Sequence, residues 1–311
     1  MRKIIIGSRG SKLAAVQAEL VLAKLRETVP DLEASIVKIT TRGDQDDDTP
    51  LDNFAQQGIF VKELEKALID GRIDLAVHSL KDLPTEIPAV LSLAAVTARI
   101  DPRDVLVSRA RKLSELATGS KIGTGSLRRS IQLLALRNDL EISGIRGNID
   151  TRLRKVSDGE IDGVIVAAAA LIRLGWEDRI TEYLPVEHFM PAVGQGALGI
   201  QVRSKDERIT SLVSSVNHEP TWRCITAERT FLQSLGGGCR APIAALGIVS
   251  DGVLRLSGMV ASADADQILR ATVEGDAQAP EQAGKRLAKK IAEMGALDLI
   301  AEAKANVFPS T

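Results

Sequence analysis

Cysteine is nearly absent from this sequence. The 311-residue chain has two, Cys224 and Cys239. Two thiols build no disulfide framework, which points to a reducing, cytoplasmic setting, with a single Cys224–Cys239 bridge left open. The three histidines and two cysteines show no zinc-site spacing, so no metal is expected. Long apolar runs are missing as well, and nothing here is long enough to span a bilayer. The opening "MRKIIIGSRGSKLA" has only a short apolar stretch before glycine, which reads as a first strand rather than a secretory signal. No membrane partner is expected. A net charge of −1 gives no overall field to draw in nucleic acid. Finally, none of the four arginine-bearing segments, at residues 4–14, 121–130, 142–155 and 169–175, ends in Gly-Lys-Ser/Thr or holds a Gly-x-Gly-x-x-Gly turn. That disfavours nucleoside triphosphates and NAD.

The composition is that of a soluble globular enzyme, with 44% hydrophobic and 26% charged residues. The length suits two domains or three. The first two-thirds alternates β-branched runs with helical stretches. "KIIIG" leads into a helix that places Leu13, Val16, Leu20 and Val21 on one face. "EASIVKIT", "IDLAVHS", "DVLVS", "KIGTG", "LEISGIRG" and "IDGVIVA" are strands, and helical segments follow several of them. This alternation predicts mostly parallel sheets with ligands at the strand carboxyl ends. "TRGDQDDDTPLDNFAQQG" is acidic, Gly/Pro-punctuated and loop-like. Near residue 220 the pattern changes to helix, three strands and helix, which predicts a separate α+β unit.

Arginine outnumbers lysine 25 to 15 among the 40 cations, and its placement is informative. Three segments end a strand in Gly or Ser and open a helix among arginines. They carry Arg9 and Ser11; Thr124, Ser126, Arg128 and Arg129; and Arg146, Asn148, Arg152 and Arg154. A fourth, "AALIRLG", holds Arg173 within its helix. Helix N-termini attract anions, and guanidinium groups grip carboxylates with a planar fork. Repetition of this design predicts a site for a ligand with many anionic groups.

In "DLAVHSLKDLP" a buried strand runs into His78, Ser79, Lys81 and Asp82. Asp82, an acceptor among cations, suits stabilising positive charge or moving a proton. His78 reads as packed and hydrogen-bonded rather than as a general base, and His188 and His218 read as surface or structural. Cys239, in "LGGGCRAP", allows three readings: a catalytic thiolate, an inert thiol, or a covalent carrier. Glycines around it would give an adduct room, and the adjacent Arg240 would favour the thiolate.

With these elements assembled, the chain closely resembles the hydroxymethylbilane synthase (porphobilinogen deaminase) family over about residues 3 to 305. "GSRGSKLA", "GIFVKELEKAL", "DLAVHSLKDLPTE", "DPRDVLVS", "GTGSLRR", "IRGNIDTRLRK", "MPAVGQGALGI" and "GGGCRAPI" occur in the family's order. The resemblance implies a transferase of tetrapyrrole and heme biosynthesis. Such enzymes join four porphobilinogen molecules head to tail on a dipyrromethane primer. Each step releases ammonia and leaves a cationic azafulvene, and linear hydroxymethylbilane is finally released by hydrolysis. By position, Cys239 would carry the dipyrromethane through a thioether. Asp82 would be the catalytic residue. Ser79, Lys81, Thr124, Ser126, Arg128, Arg129, Arg146 and Asn148 would bind the cofactor; Arg9, Ser11, Phe60, Arg152, Arg173 and Gln195 would bind substrate.

The family fold is α/β, with two periplasmic-binding-protein-like lobes and a small α+β C-terminal domain. That implies domain 1 at residues 1–97 and 195–216, holding the active-site cleft and Asp82. Domain 2, residues 98–194, would be the arginine-rich cleft wall, and domain 3, residues 217–311, would bear the cysteine. Hinges near residues 97 and 193 would flex as the product grows. A monomer without nucleic-acid or membrane partners is expected. One departure stands out: Gln57 occupies a position where the family usually has lysine, in the segment that forms a lid in relatives. The rival readings are an anion-binding protein without catalysis, which would form no adduct and release no ammonia, and a cysteine hydrolase, whose Cys239 would alkylate rapidly.

Overall fold

The computed structural model describes residues 3–40, 61–109, 111–236 and 242–307. In chain order its main elements begin with β1 (Ile4–Arg9), α1 (Lys12–Thr28), β2 (Ala34–Ile39), α2 (Lys62–Ile69), β3 (Leu75–Ser79) and β4 (Leu91–Val96). Next come β5 (Asp104–Ser108), β6 (Lys121–Gly123), α3 (Leu127–Leu136), β7 (Glu141–Ser143), α4 (Ile149–Ser157), β8 (Gly163–Ala167), α5 (Ala168–Leu174) and β9 (Glu182–Tyr183). The chain continues with β10 (Leu198–Arg203), α6 (Glu207–Ser214), α7 (Glu219–Ser234), β11 (Ile243–Ser250), β12 (Val253–Ala261), β13 (Ile268–Asp276), α8 (Pro280–Ala292) and α9 (Ala296–Val307). It divides into two compact units, one of residues 1–100 and 197–222, the other of residues 101–196 and 223–311.

The first unit is built on a five-stranded sheet of order β2-β1-β3-β10-β4. β1 runs parallel to β2 and β3, and β10 runs antiparallel to β3 and β4. Ile4 and Ile6 of β1, Leu75 and Val77 of β3, and Ile200 and Val202 of β10 supply its core. The buried face of α1 includes Val21, as expected, but otherwise differs from the face of Leu13, Val16 and Leu20. The helix buries Ala14, Ala18, Val21 and Leu25, whereas Leu20 is 47% exposed. Positions four and then three or four apart share a helical face, and the two alanines allow the helix to lie close to the sheet.

The second unit holds a sheet of order β7-β6-β8-β5-β9. β6 runs parallel to β7 and β8, and β5 runs antiparallel to β8 and β9. The two sheets therefore share one plan, in which the second strand has parallel neighbours and the fourth strand is reversed. The reversed strand comes last along the chain in the first sheet and first in the second. Each sheet is mostly parallel, as expected, with four of five strands running one way and this one entering from the opposite end.

The second unit also contains the antiparallel sheet β11-β12-β13. Its core joins Leu254, Leu256 and Val260 to Phe231 of α7 and to Leu287 and Ile291 of α8. These elements form the small α+β C-terminal domain. Gly247 of β11 makes the close approach of α7 possible, since a Cβ there would lie 3.1 Å from Cys224 Cα.

Candidate active site

In the first unit the expected residues sit at the carboxyl ends of two parallel strands. Arg9 is the last residue of β1 and is half-buried. Ser11 is the N-cap of α1, and its Oγ accepts a hydrogen bond from Ala14 N at 3.2 Å, a standard way to satisfy a free helix donor. Ser79 ends β3, and its Oγ accepts from buried Gln17 Nε2 at 2.8 Å. The chain then turns through a short 3-10 segment, Leu80–Asp82. Leu80 is buried, Lys81 is half-buried and Asp82 is exposed. The apolar anchor thus presents the two charged side chains at the strand end.

His78 stands one residue before Ser79. It is buried, with Nε2 3.0 Å from Gln201 Oε1. Gln201 Nε2 donates to Glu65 Oε1 at 2.9 Å, so its carbonyl oxygen faces the imidazole and Nε2–H of His78 is the donor. Burial lowers the His78 pKa to about 4, against the raising effects of Gln201 and Asp82. At neutral pH it is a neutral packed group.

In the second unit, Thr124 and Ser126 form the β6–α3 turn. Thr124 N donates to Ser143 O of β7 at 2.9 Å, and Thr124 Oγ1 accepts from Ser126 N at 3.2 Å. Between them a Cβ on Gly125 would lie 2.8 Å from Ile145 O. Only glycine lets this turn rest against the chain leaving β7. That contact brings Thr124 and Ser126 to the segment carrying Arg146 and Asn148. Asn148 is the exposed N-cap residue of α4, and Arg152 Nε donates back to Gly147 O at 2.8 Å.

Arg128 and Arg129, in the first turn of α3, are buried, at 7% and 6% exposure. Both converge on Asp104, the first residue of β5, which is fully buried. Arg128 Nη2 donates to Asp104 Oδ2 at 2.8 Å. Arg129 donates to Oδ1 from Nη2 at 2.7 Å and from Nε at 3.1 Å. Arg128 Nη1 also donates to Met190 O, and Arg129 Nη1 to Ile165 O. Gln195 Nε2 donates to Asp104 Oδ1 at 3.0 Å and to Pro102 O at 2.7 Å. The Arg128 pKa is lowered by burial, offset by the Asp104 charge and lowered further by Arg129. Arg173 Nη2 donates to Gly196 O at 2.8 Å, and burial lowers its pKa to about 10, so it stays protonated at neutral pH.

The structure thus gathers Arg128, Arg129 and Gln195 on one carboxylate, and sets Thr124 and Ser126 against the Arg146 segment. Phe60, Gln57 and Cys239 lie outside the described residues. Cys224 is buried in the C-terminal core. Sequence reasoning missed Asp104, although its motif "DPRDVLVS" was in view, because nothing local marks it as a partner of residues 24, 25 and 91 positions away. It also missed Gln17 and buried Glu228. Glu228 accepts from Gly194 N and Gly247 N, both at 2.8 Å. Among the described residues no group of three or more His, Cys, Asp or Glu could hold a metal ion. No described helix is long and apolar enough to cross a membrane.

Fold and site together define an α/β protein with two like-ordered sheets, an α+β C-terminal domain and strand-end guanidinium groups suited to a polycarboxylate. Residues 4–211 match the family model described as porphobilinogen deaminase, dipyromethane cofactor binding domain, and residues 222–293 match its C-terminal domain. The chain belongs to the porphobilinogen deaminase family. It is 48% identical over 301 residues to the porphobilinogen deaminase of Alkaliphilus metalliredigens, covering 96% of this chain and 95% of that one. It is 46% identical to that of Geobacter metallireducens, over 97% and 95% of the two chains. It is 45% identical to that of Thermus thermophilus, over 97% and 99%. Among solved structures, the methionine-binding protein MetQ aligns with a TM-score of 0.45 at 15% identity, over 69% of this chain and 89% of that one. The periplasmic VFT2 domain of Bordetella pertussis BvgS aligns at 0.40 and 14% identity, over 69% and 85%.

Proposed function

We propose that this chain is the transferase that joins four porphobilinogen molecules head to tail, with loss of ammonia at each step, in tetrapyrrole biosynthesis. The observation that carries the reading is the buried Arg128–Arg129 pair on Asp104, beside Thr124 and Ser126, in a chain that matches the family over nearly its whole length. Each substrate brings an acetate and a propionate, so the growing product accumulates carboxylates. Guanidinium forks and hydroxyl donors at strand ends are the chemistry that holds them.

The same donor set fits the dipyrromethane of the family, which carries the same carboxylates. When bound, that group supplies the pyrrole carbon to which the first substrate is joined. Cys239 would anchor it, because the other thiol, Cys224, is buried in packing against Gly247. Lys81, Ser79, Thr124, Ser126, Arg128, Arg129, Arg146 and Asn148 would orient the cofactor carboxylates. Arg9, Ser11, Phe60, Arg152, Arg173 and Gln195 would serve the incoming substrate. As the carbon–nitrogen bond to ammonia breaks, positive charge develops on the substrate pyrrole. Asp82 would accept a hydrogen bond from the pyrrole N–H, stabilise that charge, and take part in removing the proton displaced when the carbon–carbon bond forms. His78, neutral and bonded to Gln201, would support the turn that carries Asp82. The reading includes a cytoplasmic monomer and the three-domain division at residues 1–97 with 195–216, 98–194 and 217–311.

The test is the mass of the denatured protein beside a Cys239→Ser variant. A gain equal to two linked pyrrole units, absent from the variant, supports the reading. A bare mass that stays bare after incubation with porphobilinogen, with no ammonia released, overturns it.

A further inference from the structure

Asp104 has no assigned part in the reaction, yet among the described residues four side-chain donors end on its carboxylate. Oδ1 takes Arg129 Nε and Nη2 and Gln195 Nε2, and Oδ2 takes Arg128 Nη2. The second Nη of each arginine is tied to a backbone carbonyl, Met190 O for Arg128 and Ile165 O for Arg129. Each guanidinium plane is therefore held at two points. A long arginine side chain has much rotamer freedom to lose, and here that freedom is removed within the protein itself.

The position of Asp104 explains how it does this. It opens β5, and its register partner across the sheet is Ala167, the last residue of β8. It therefore sits where a parallel strand ends, facing the first turn of α3. Gln195 reaches it from the segment before β10, and Glu228 holds the neighbouring Gly194 N. One buried carboxylate thus joins α3, β5 and the residue 190–196 segment.

Charge completes the argument. Among the described residues, two guanidinium charges face one carboxylate in a buried cluster, which leaves one positive charge in excess. A buried charge is costly without a partner. Arg128 Nε makes no hydrogen bond to any described residue, so the cluster keeps a donor as well as a charge. Those are the two things a ligand carboxylate needs.

We propose that Asp104 is a positioning residue for ligand binding. It aims the Arg128 and Arg129 forks and partly neutralises them, so that the cluster keeps one positive charge and takes one carboxylate of the bound pyrroles. This rests on the function proposed above. Asp104 touches neither cofactor nor substrate; it acts through the two arginines and Gln195.

The test uses full-length Asp104→Glu and Asp104→Asn beside the unaltered protein. For each, the rate of covalent mass gain by apoprotein incubated with porphobilinogen, the KM and kcat for ammonia release, and the melting temperature are measured. Asp104→Glu keeps the charge but moves the carboxylate by one methylene. It should load more slowly and show a KM raised about tenfold, with kcat changed much less, because directed charge-assisted bonds are lost in binding. Asp104→Asn should show the same split and melt lower, since it leaves two buried cations facing a neutral group. A folded Asp104→Glu protein with loading rate and KM within about twofold of the unaltered protein overturns the proposal, whatever its melting temperature. Equal falls in kcat and kcat/KM with KM unchanged overturn it as well. Failure of the unaltered protein to gain mass or release ammonia would instead overturn the function on which the proposal rests.

Discussion

Gly125 offers the most direct link between packing and function. A Cβ built there lies 2.8 Å from Ile145 O, a backbone atom that cannot rotate away. An unstrained carbon contact sits at roughly 3.5 Å, so Gly125→Ala must part the β6–α3 turn from the chain after β7 by about 0.7 Å. The Thr124 N to Ser143 O bond, at 2.9 Å, spans the same gap and would lengthen with it. Overpacking of this kind costs about 1–3 kcal/mol, which lowers the melting temperature by several degrees, about 5 °C, in a protein of this size. Thr124, Ser126 and the start of α3 move with the turn. A misplacement approaching 1 Å in a binding group weakens binding and turnover by about tenfold or more. Thermal melting and porphobilinogen saturation kinetics on one preparation of Gly125→Ala check both effects. An unchanged melting temperature together with an unchanged KM would refute the claim that this glycine seats the carboxylate-binding turn.

Two further outcomes follow from the first unit. Asp82→Asn keeps the hydrogen-bonding shape but loses the charge, so it should remain folded and lose about 100-fold or more in kcat; a folded variant with near-normal turnover would refute the role given to Asp82. His78 has a folded pKa of about 4 against 6.5 when unfolded, so between those values the unfolded chain binds more protons. Its contribution to stability is complete above pH 6.5 and falls as the pH drops towards 4, by about 3 kcal/mol in all. His78→Gln should melt with less dependence on pH over that window, and denaturation curves from pH 7 to pH 4 with the same slope for both proteins would count against the buried neutral state.

Much of the site was legible because its signals are local. A β-branched run, a Gly or Ser, and an arginine-bearing helix start are contiguous, so strand-end placement of Arg9, Thr124, Ser126 and Asn148 follows from short-range rules. The packed state of His78 was legible too, from its place on a buried strand. The reversed fourth strand of each sheet was not, because strand direction depends on where the chain re-enters. The buried face of α1 was read correctly at Val21 but not at Leu13, Val16 and Leu20, because the sheet takes Ala14, Ala18 and Leu25 with Val21.

Sequence alone, with the family resemblance its motifs carry, determined the class of chemistry: many arginines at strand ends, an aspartate after a buried strand, and a thiol in a glycine loop. Those features are written in residue type and short spacing. Tertiary structure decided which groups share a partner. Asp104 holds Arg128, Arg129 and Gln195, Gln17 meets Ser79, and Glu228 joins Gly194 to Gly247. A buried charge or donor is satisfied by whatever folding brings within about 3 Å, and no pattern of neighbouring residues specifies that.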